Sequence, residues 1–167
     1  ATALGIQTQL GLEKFVTAQM YYSLVGRDLE HDWLSFAEYS GMGILVWSTL
    51  AGGFLSGKYN RGNPLPTDTR FAEAGQFVPF DVERGYKIVD VLQAVAKRHD
   101  ASPARVAIAW TMAQRAISSV IIAARSLKHL EDNIAAADLS LTDEDFQDLH
   151  AVSDPGTPYP KWMVLQL

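Results

Sequence analysis

The sequence predicts an α/β fold built on a parallel sheet, and three observations carry that expectation. Short runs at Phe15–Met20, Ile44–Trp47 and Ser119–Ala123 have the length and composition of buried strands. Helical periodicity fills the stretches between them, as in Asp28–Tyr39 and Val82–His99. The links between the first strand, the first intervening helix and the second strand are short. Strand, helix and strand joined this way imply parallel pairing through a right-handed crossover.

The elements follow in order. Ala1–Leu10 reads as a helix closed by Gly11 at the position that favours a left-handed residue. The first strand follows, with Gln19 near its carboxyl end, and Tyr21–Arg27 is a loop. Asp28–Tyr39 carries Leu29, Trp33, Phe36 and Ala37 at helical spacing, with Asp28 as the expected N-cap. Gly41 and Gly43 close that helix, and Ile44-Leu45-Val46-Trp47 opens the second strand. Ser48–Gly53 is a small-residue loop in which backbone can approach a ligand closely, followed by the cation Lys58. Tyr59–Asp81, with Pro64, Pro66 and Pro79, reads as a long loop.

Val82–His99 has Ile88, Val91, Leu92 and Val95 on one face. Ser102-Pro103 supplies an N-cap and a first-turn proline for a helix through Ala113. After the third strand, Arg125-Ser126 precedes a helix over Leu127–Ala136, and Thr142–Asp145 starts the last helix with acidic residues in its first turn. The tail from Pro155 is rich in proline and aromatics and is expected to lie against the body.

At 167 residues with 48% hydrophobic content, the chain has the size of about one domain. A net charge of −5 with scattered Lys and Arg gives no nucleic-acid surface. Cysteine is absent, which excludes disulfides and thiolate metal sites. No apolar run approaches the roughly 18 residues of a membrane span, and no signal-peptide pattern is present, so a cytoplasmic location is expected. Three parallel strands cannot close a barrel and leave two edges that a stable domain normally covers. With no initiating Met and a start inside a helix, the expectation is a chain that forms part of something larger.

Several motifs fall away on inspection. Gly52–Lys58 satisfies G-x-x-x-x-G-K, but Tyr59 stands where a phosphate-binding P-loop needs Ser or Thr, and Asn60–Pro64 cannot form its helix. A P-loop phosphotransferase is therefore set aside. His31, His99, His129 and His150 have no metal-ligand spacing with a carboxylate, and His31, His99 and His150 read as helix-surface residues. No G-x-S-x-G elbow anchors a hydrolase triad. Asp143, Glu144 and Asp145 suit a helix start better than a catalytic pair. Trp47 has two readings: a core residue, or a ring at the carboxyl end of a parallel strand that stacks on a flat ligand.

Three segments in order, Gln19–Arg27 (QMYYSLVGR), Trp47–Tyr59 (WSTLAGGFLSGKY) and Ile122–Asn133 (IAARSLKHLEDN), resemble landmarks of the aldo-keto reductase family, and the similarity runs over essentially the whole chain. The resemblance implies a (β/α)8 barrel that binds NADP(H) across its carboxyl-end loops. This chain would be the C-terminal part of that single barrel domain, with its last three strands, their helices and the tail. Gln19 matches the glutamine that hydrogen-bonds the nicotinamide carboxamide, and Trp47 the aromatic residue that stacks on the nicotinamide. Ser48, Leu50, Ala51, Gly52 and Gly53 match the loop around the pyrophosphate, with Thr49 where relatives often have proline. Lys58 matches a phosphate-contacting lysine, and Arg70 an arginine that closes over the cofactor. Arg125 falls where the adenosine 2′-phosphate is held, which suits its planar fork. His129, Asp132 and Asn133 fall at adenosine-end positions, the first two as departures from the usual residues.

The family's acid–base set of Asp, Tyr, Lys and His lies on the first half of the barrel, which precedes Ala1. The resemblance therefore implies NADPH-dependent reduction of an aldehyde or ketone by the intact barrel. The missing N-terminal half is the expected partner, and this chain alone is expected to be inactive. The alternative is a non-catalytic NADP(H)-binding regulatory module of the same fold. Neither reading requires nucleic acid, a membrane or a metal.

Overall fold

A computed structural model describes residues 1–61 and 77–164. Three parallel strands, β1 (Thr17–Tyr21), β2 (Gly43–Trp47) and β3 (Ile117–Val120), form one sheet in the order β1-β2-β3. The helices are α1 (Thr2–Leu10), α2 (Trp33–Ser40), α3 (Val82–Arg98), α4 (Pro103–Met112), α5 (Leu127–Ile134), α6 (Asp143–Ser153) and the single turn α7 (Lys161–Val164). The parallel α/β class expected from the sequence is thus present as three strands, each with one or both neighbours inside the chain.

Register explains which side chains face where. Gln19 pairs with Leu45, Tyr21 with Trp47, and Val46 with Val120. Because side chains alternate along a strand, Ile44 and Val46 point together into the main core and are fully buried. Met20, Ile117 and Val120 pack against that same core. Gln19, Tyr21, Leu45 and Trp47 share the opposite face. The strands are therefore half-buried in this chain, where the sequence reading took them as buried on both faces. β1 and β3 each leave one side without a strand among the described residues. Exposed Phe15 and Val16 lie just before β1, and exposed Ile121 lies just after β3.

The helical layer closes on itself. Asp81 caps α3 by accepting from Arg84 N–H, and Ser102 caps α4 by accepting from Arg105 N–H, with Pro103 in the first turn. On α3, Ile88, Val89, Leu92, Val95 and Ala96 are buried, and Gly85 is selected by close approach, since a Cβ there would meet Phe54 at 2.7 Å. Thr142 and Asp145 form a reciprocal capping box at the start of α6, which packs on α3. α1 has no buried residue; Ile6 and Leu10 on it, and Leu12 after it, are exposed.

Three expected boundaries move. Asp28 does not cap a long helix: a 3-10 turn covers Asp28–Glu30, Asp32 breaks with φ −136, and α2 starts at Trp33. The buried face of α2 becomes Leu34 and Ala37, leaving Trp33 exposed with its ring 5.6 Å edge-on from Phe36. β3 starts two residues early, with Ile44 N–H donating to Ala116 O, and stops at Val120, where its pairing with β2 ends in the bond from Ile121 N–H to Val46 O. The fifth helix gives way to a 3-10 turn at Ala135.

Candidate functional site

Almost all of the described candidate residues follow the carboxyl ends of the three strands, where parallel α/β proteins collect ligands. Gln19 lies on β1, exposed, on the face without a helical layer. Two residues on, Tyr21 stands beside Trp47, with ring centroids 5.3 Å apart and planes tilted by 44°. Phe77 also meets Trp47 edge-on, with centroids 6.0 Å apart. Trp47 is half-buried and is not part of the core cluster, which separates it from the core reading.

The chain then coils tightly. Ser48 (φ 56), Ala51 (φ 49), Gly52 (φ 69), Gly53 (φ 97) and Gly57 (φ 81) all occupy the left-handed region. For Ser48 and Ala51 this costs on the order of 1 kcal/mol each. A Cβ at Gly52 or Gly53 would meet nothing within 4 Å, so backbone conformation selects glycine there and the space over the loop is open. The coil is partly self-satisfied: Ala51 N–H donates to Ser48 O at 2.8 Å, and Gly53 N–H to Leu50 O at 2.9 Å. Its underside is an aromatic cluster in which buried Phe54 stacks on Tyr59 at 5.4 Å and meets Phe80 and Tyr86. Leu50 also packs onto the core, and Lys58 is exposed at the far end. Thr49 is buried with its hydroxyl unpartnered.

After β3, exposed Arg125 precedes Ser126, the N-cap of α5, whose hydroxyl accepts from His129 N–H at 3.2 Å. Asn133 is the buried residue of that helix. Asp132 turns inward: Arg105 Nη2 donates to its carboxylate at 2.7 Å, and Ser102 Oγ also bonds it. Its work in this chain is to tie α5 to α4. Arg70 lies outside the described residues.

The sequence reading missed the polar network behind this surface. Buried Arg27 clamps Glu30 through Nε at 2.6 Å and Nη2 at 2.9 Å, and its guanidinium lies 5.4 Å over the Trp110 ring. Tyr22 donates to the same carboxylate at 2.6 Å. His150 contacts Arg27, and His99 bonds Asp145 at 2.6 Å. Neither His99 nor His150 is the surface residue expected, because each lies where a second element packs over its helix; His31 is partly shielded too, 3.8 Å from Asp28. The i,i+3 spacing of Arg27 and Glu30 was the available signal. Burial raises the Tyr21 phenol, against a hydrogen bond to Ser23. Burial and the Glu30 carboxylate push Tyr22 far up. Both phenols stay protonated near neutral pH and are not poised as proton donors.

An open concavity of about 590 Å³ lies between α3 and α6 and includes none of these candidates. Among the described residues no cluster of His, Asp and Glu suits a metal, and no helix is long and apolar enough to cross a membrane.

Protein tas of Escherichia coli is 30% identical over 165 residues, covering 95% of this chain and 47% of that protein. A probable voltage-gated potassium channel subunit beta of Arabidopsis thaliana is 33% identical over 144 residues, covering 82% and 43%. A solved glycerol dehydrogenase of Gluconobacter oxydans superposes with a TM-score of 0.67 over 93% of this chain and 48% of its own, at 24% identity, and so shares the fold. The chain spans about half the length of these relatives. The aldo/keto reductase family model matches residues 7–154, and the chain belongs to that family.

Proposed function

We propose that this chain supplies the cofactor-holding part of an NADPH-dependent aldo-keto reductase barrel that reduces an aldehyde or ketone in the cytoplasm. The observation that carries the reading is the shared face of Gln19, Tyr21 and Trp47, continuous with the open coil at Ser48–Gly53. These residues fit a nicotinamide dinucleotide: a half-exposed ring for a flat group, an amide that both donates and accepts, and glycines with free space in front. Bound there, the nicotinamide would supply hydride to the carbonyl carbon. Gln19 and Trp47 would orient its ring, and Lys58 and Arg125 would offset phosphate charge, Arg125 at the adenosine end together with His129 and Asn133. Arg70 would close over the cofactor, and Asp132 would act through the Arg105 contact.

Burial raises the Tyr21 and Tyr22 phenols and keeps them neutral, which supports placing proton donation on the N-terminal half of the barrel, the proposed partner. That half would pair with the free sides of β1 and β3. On this reading the chain alone does not turn over. Exchanging Arg125 for Ala in the complete barrel should weaken NADPH about 10- to 100-fold while leaving NADH nearly unchanged, the size of a lost charge-assisted hydrogen-bonded pair. Equal loss for both cofactors removes Arg125 from that role. A second reading, a non-catalytic NADP(H)-binding regulatory module, is favoured by the likeness to the potassium channel beta subunit. Carbonyl-dependent NADPH oxidation by the complete barrel separates the two.

A further inference from the structure

Two arginines hold the C-terminal end of α6. Arg27 Nη1 donates to Ser153 Oγ at 2.8 Å and to His150 O at 3.4 Å, and Arg84 of α3 donates to Ser153 O at 2.5 Å. Such last-turn carbonyls have no partner within their own helix. The tail leaves α6 at Asp154, turns at Gly156 (φ 74) and comes back, so that Lys161 Nζ donates to the backbone oxygen of Glu30 at 2.9 Å. The anchor of the tail is therefore the same residue whose carboxylate Arg27 clamps. Arg27 Nη2 also meets His150 Nδ1 at 2.9 Å. A guanidinium only donates, so Nδ1 must accept, which requires a neutral imidazole with its proton on Nε2.

We propose that His150 is an acid-sensitive catch for the C-terminal tail: neutral, it completes the Arg27 clamp beneath the Lys161 anchor; protonated, it faces Arg27 as a second cation and releases residues 155–164. The charges around it are Arg27 and Glu30 from the segment after β1, Asp154 at the end of its own helix, Arg84 of α3 reaching Ser153, and Lys161 of the tail. α4 presents the uncharged Trp110 ring, 5.7 Å away. Glu30 and Asp154 favour the imidazolium, but Glu30 is already bonded by Arg27 and Tyr22, and Asp154 accepts from Gly156 N–H. Burial and Arg27 prevail and lower the His150 value. For a base depressed in the folded state, the stabilisation is complete above about pH 6.5 and is lost as pH falls through the folded value.

Hydrogen exchange on the complete protein reads this directly. The amides to follow are Trp162, bonded to Pro158 O at 3.3 Å, and Met163, bonded to Pro160 O at 2.9 Å. After correction for intrinsic rates, both should exchange about 10-fold faster near pH 5 than near pH 8. His150→Asn puts a non-titrating acceptor near the Nδ1 position and should keep the tail protected across that range, whereas His150→Phe should leave it loose throughout. His31→Gln should leave the response intact, because His31 lies beside the tail without contacting Arg27. Should His150→Phe fail to fold, Lys161→Met tests the anchor and should expose both amides at every pH. Protection that is flat with pH in the native protein, or a pH response that survives in His150→Asn, overturns the proposal.

Discussion

On β2, Ile44 and Val46 point into a core closed by helices, while Leu45 and Trp47, one residue along, point to a face without that layer. The same five-residue strand thus borders a packed interior on one side and a half-exposed face on the other. Behind it, Phe54, Trp110, Tyr22 and Arg27 are buried, half-buried Glu30 is held by Arg27 and Tyr22, and only the Trp110 Nε1 group lacks a hydrogen-bond partner there. In front, Gln19 is exposed on β1, and among the described residues the outer edges of β1 and β3 carry no further strand. Stability in this chain comes from one side of the sheet and the candidate chemistry sits on the other, so substitutions on the two sides should separate cleanly.

The largest effect is expected behind the sheet. Phe54→Ala, with the barrel complete, should lower stability by about 3–5 kcal/mol in urea unfolding, the cost of emptying an aromatic site in a packed core. Cofactor affinity should change less, and a loss below about 1 kcal/mol would mean the coil's underside is not the anchor described.

Asp145→Asn comes next, at about 1–3 kcal/mol. Burial works against its charge, but hydrogen bonds from His99, Thr142 and Arg98 outweigh this and hold its carboxyl well below the usual range. For an acid depressed in the folded state, the stabilisation is present above the unfolded value of about 3.9 and is lost as pH falls below it. Stability measured from about pH 6 down to about pH 3 should therefore drop less steeply in Asp145→Asn than in the native protein. Parallel curves would place the acid sensitivity elsewhere.

The smaller effects lie in front. Gly53→Ala, forced to keep φ 97, should cost about 1 kcal/mol. Gln19→Ala should move stability by less than about 0.5 kcal/mol while weakening nicotinamide binding, seen as a higher Kd without a shift in the urea midpoint. A stability loss comparable to that of Phe54→Ala would erase the contrast between the two faces.

The two sides were also unequally legible in the sequence. Periodicity locates α3, and Ser102 and Thr142 locate the starts of α4 and α6, because a cap acts within a few residues of itself; the Asp81 cap of α3 is seen only in the structure. The carboxyl-end residues were found through motif resemblance, which marks positions and not contacts. Asp132 shows the limit: its place in the motif was readable, but its bond to Arg105 depends on how α5 lies across α4. The Arg27 network joins residues 123 positions apart and leaves no local pattern at His150. Asp28 misleads for the opposite reason, since its local capping propensity loses to the interruption of helical geometry at Asp32, which takes the N-cap position instead.

In the proposed barrel, the N-terminal half covers the front face. The direct test is to mix the purified chain with a polypeptide carrying the N-terminal half of the barrel and follow carbonyl-dependent NADPH oxidation and sedimentation. The chain alone should self-associate through its open edges and give no turnover, since loss of general acid catalysis alone costs about 10²–10⁴ in rate. The mixture should be soluble and active. A monodisperse chain that reduces carbonyls by itself, with its mass confirming a start at Ala1, would contradict the account.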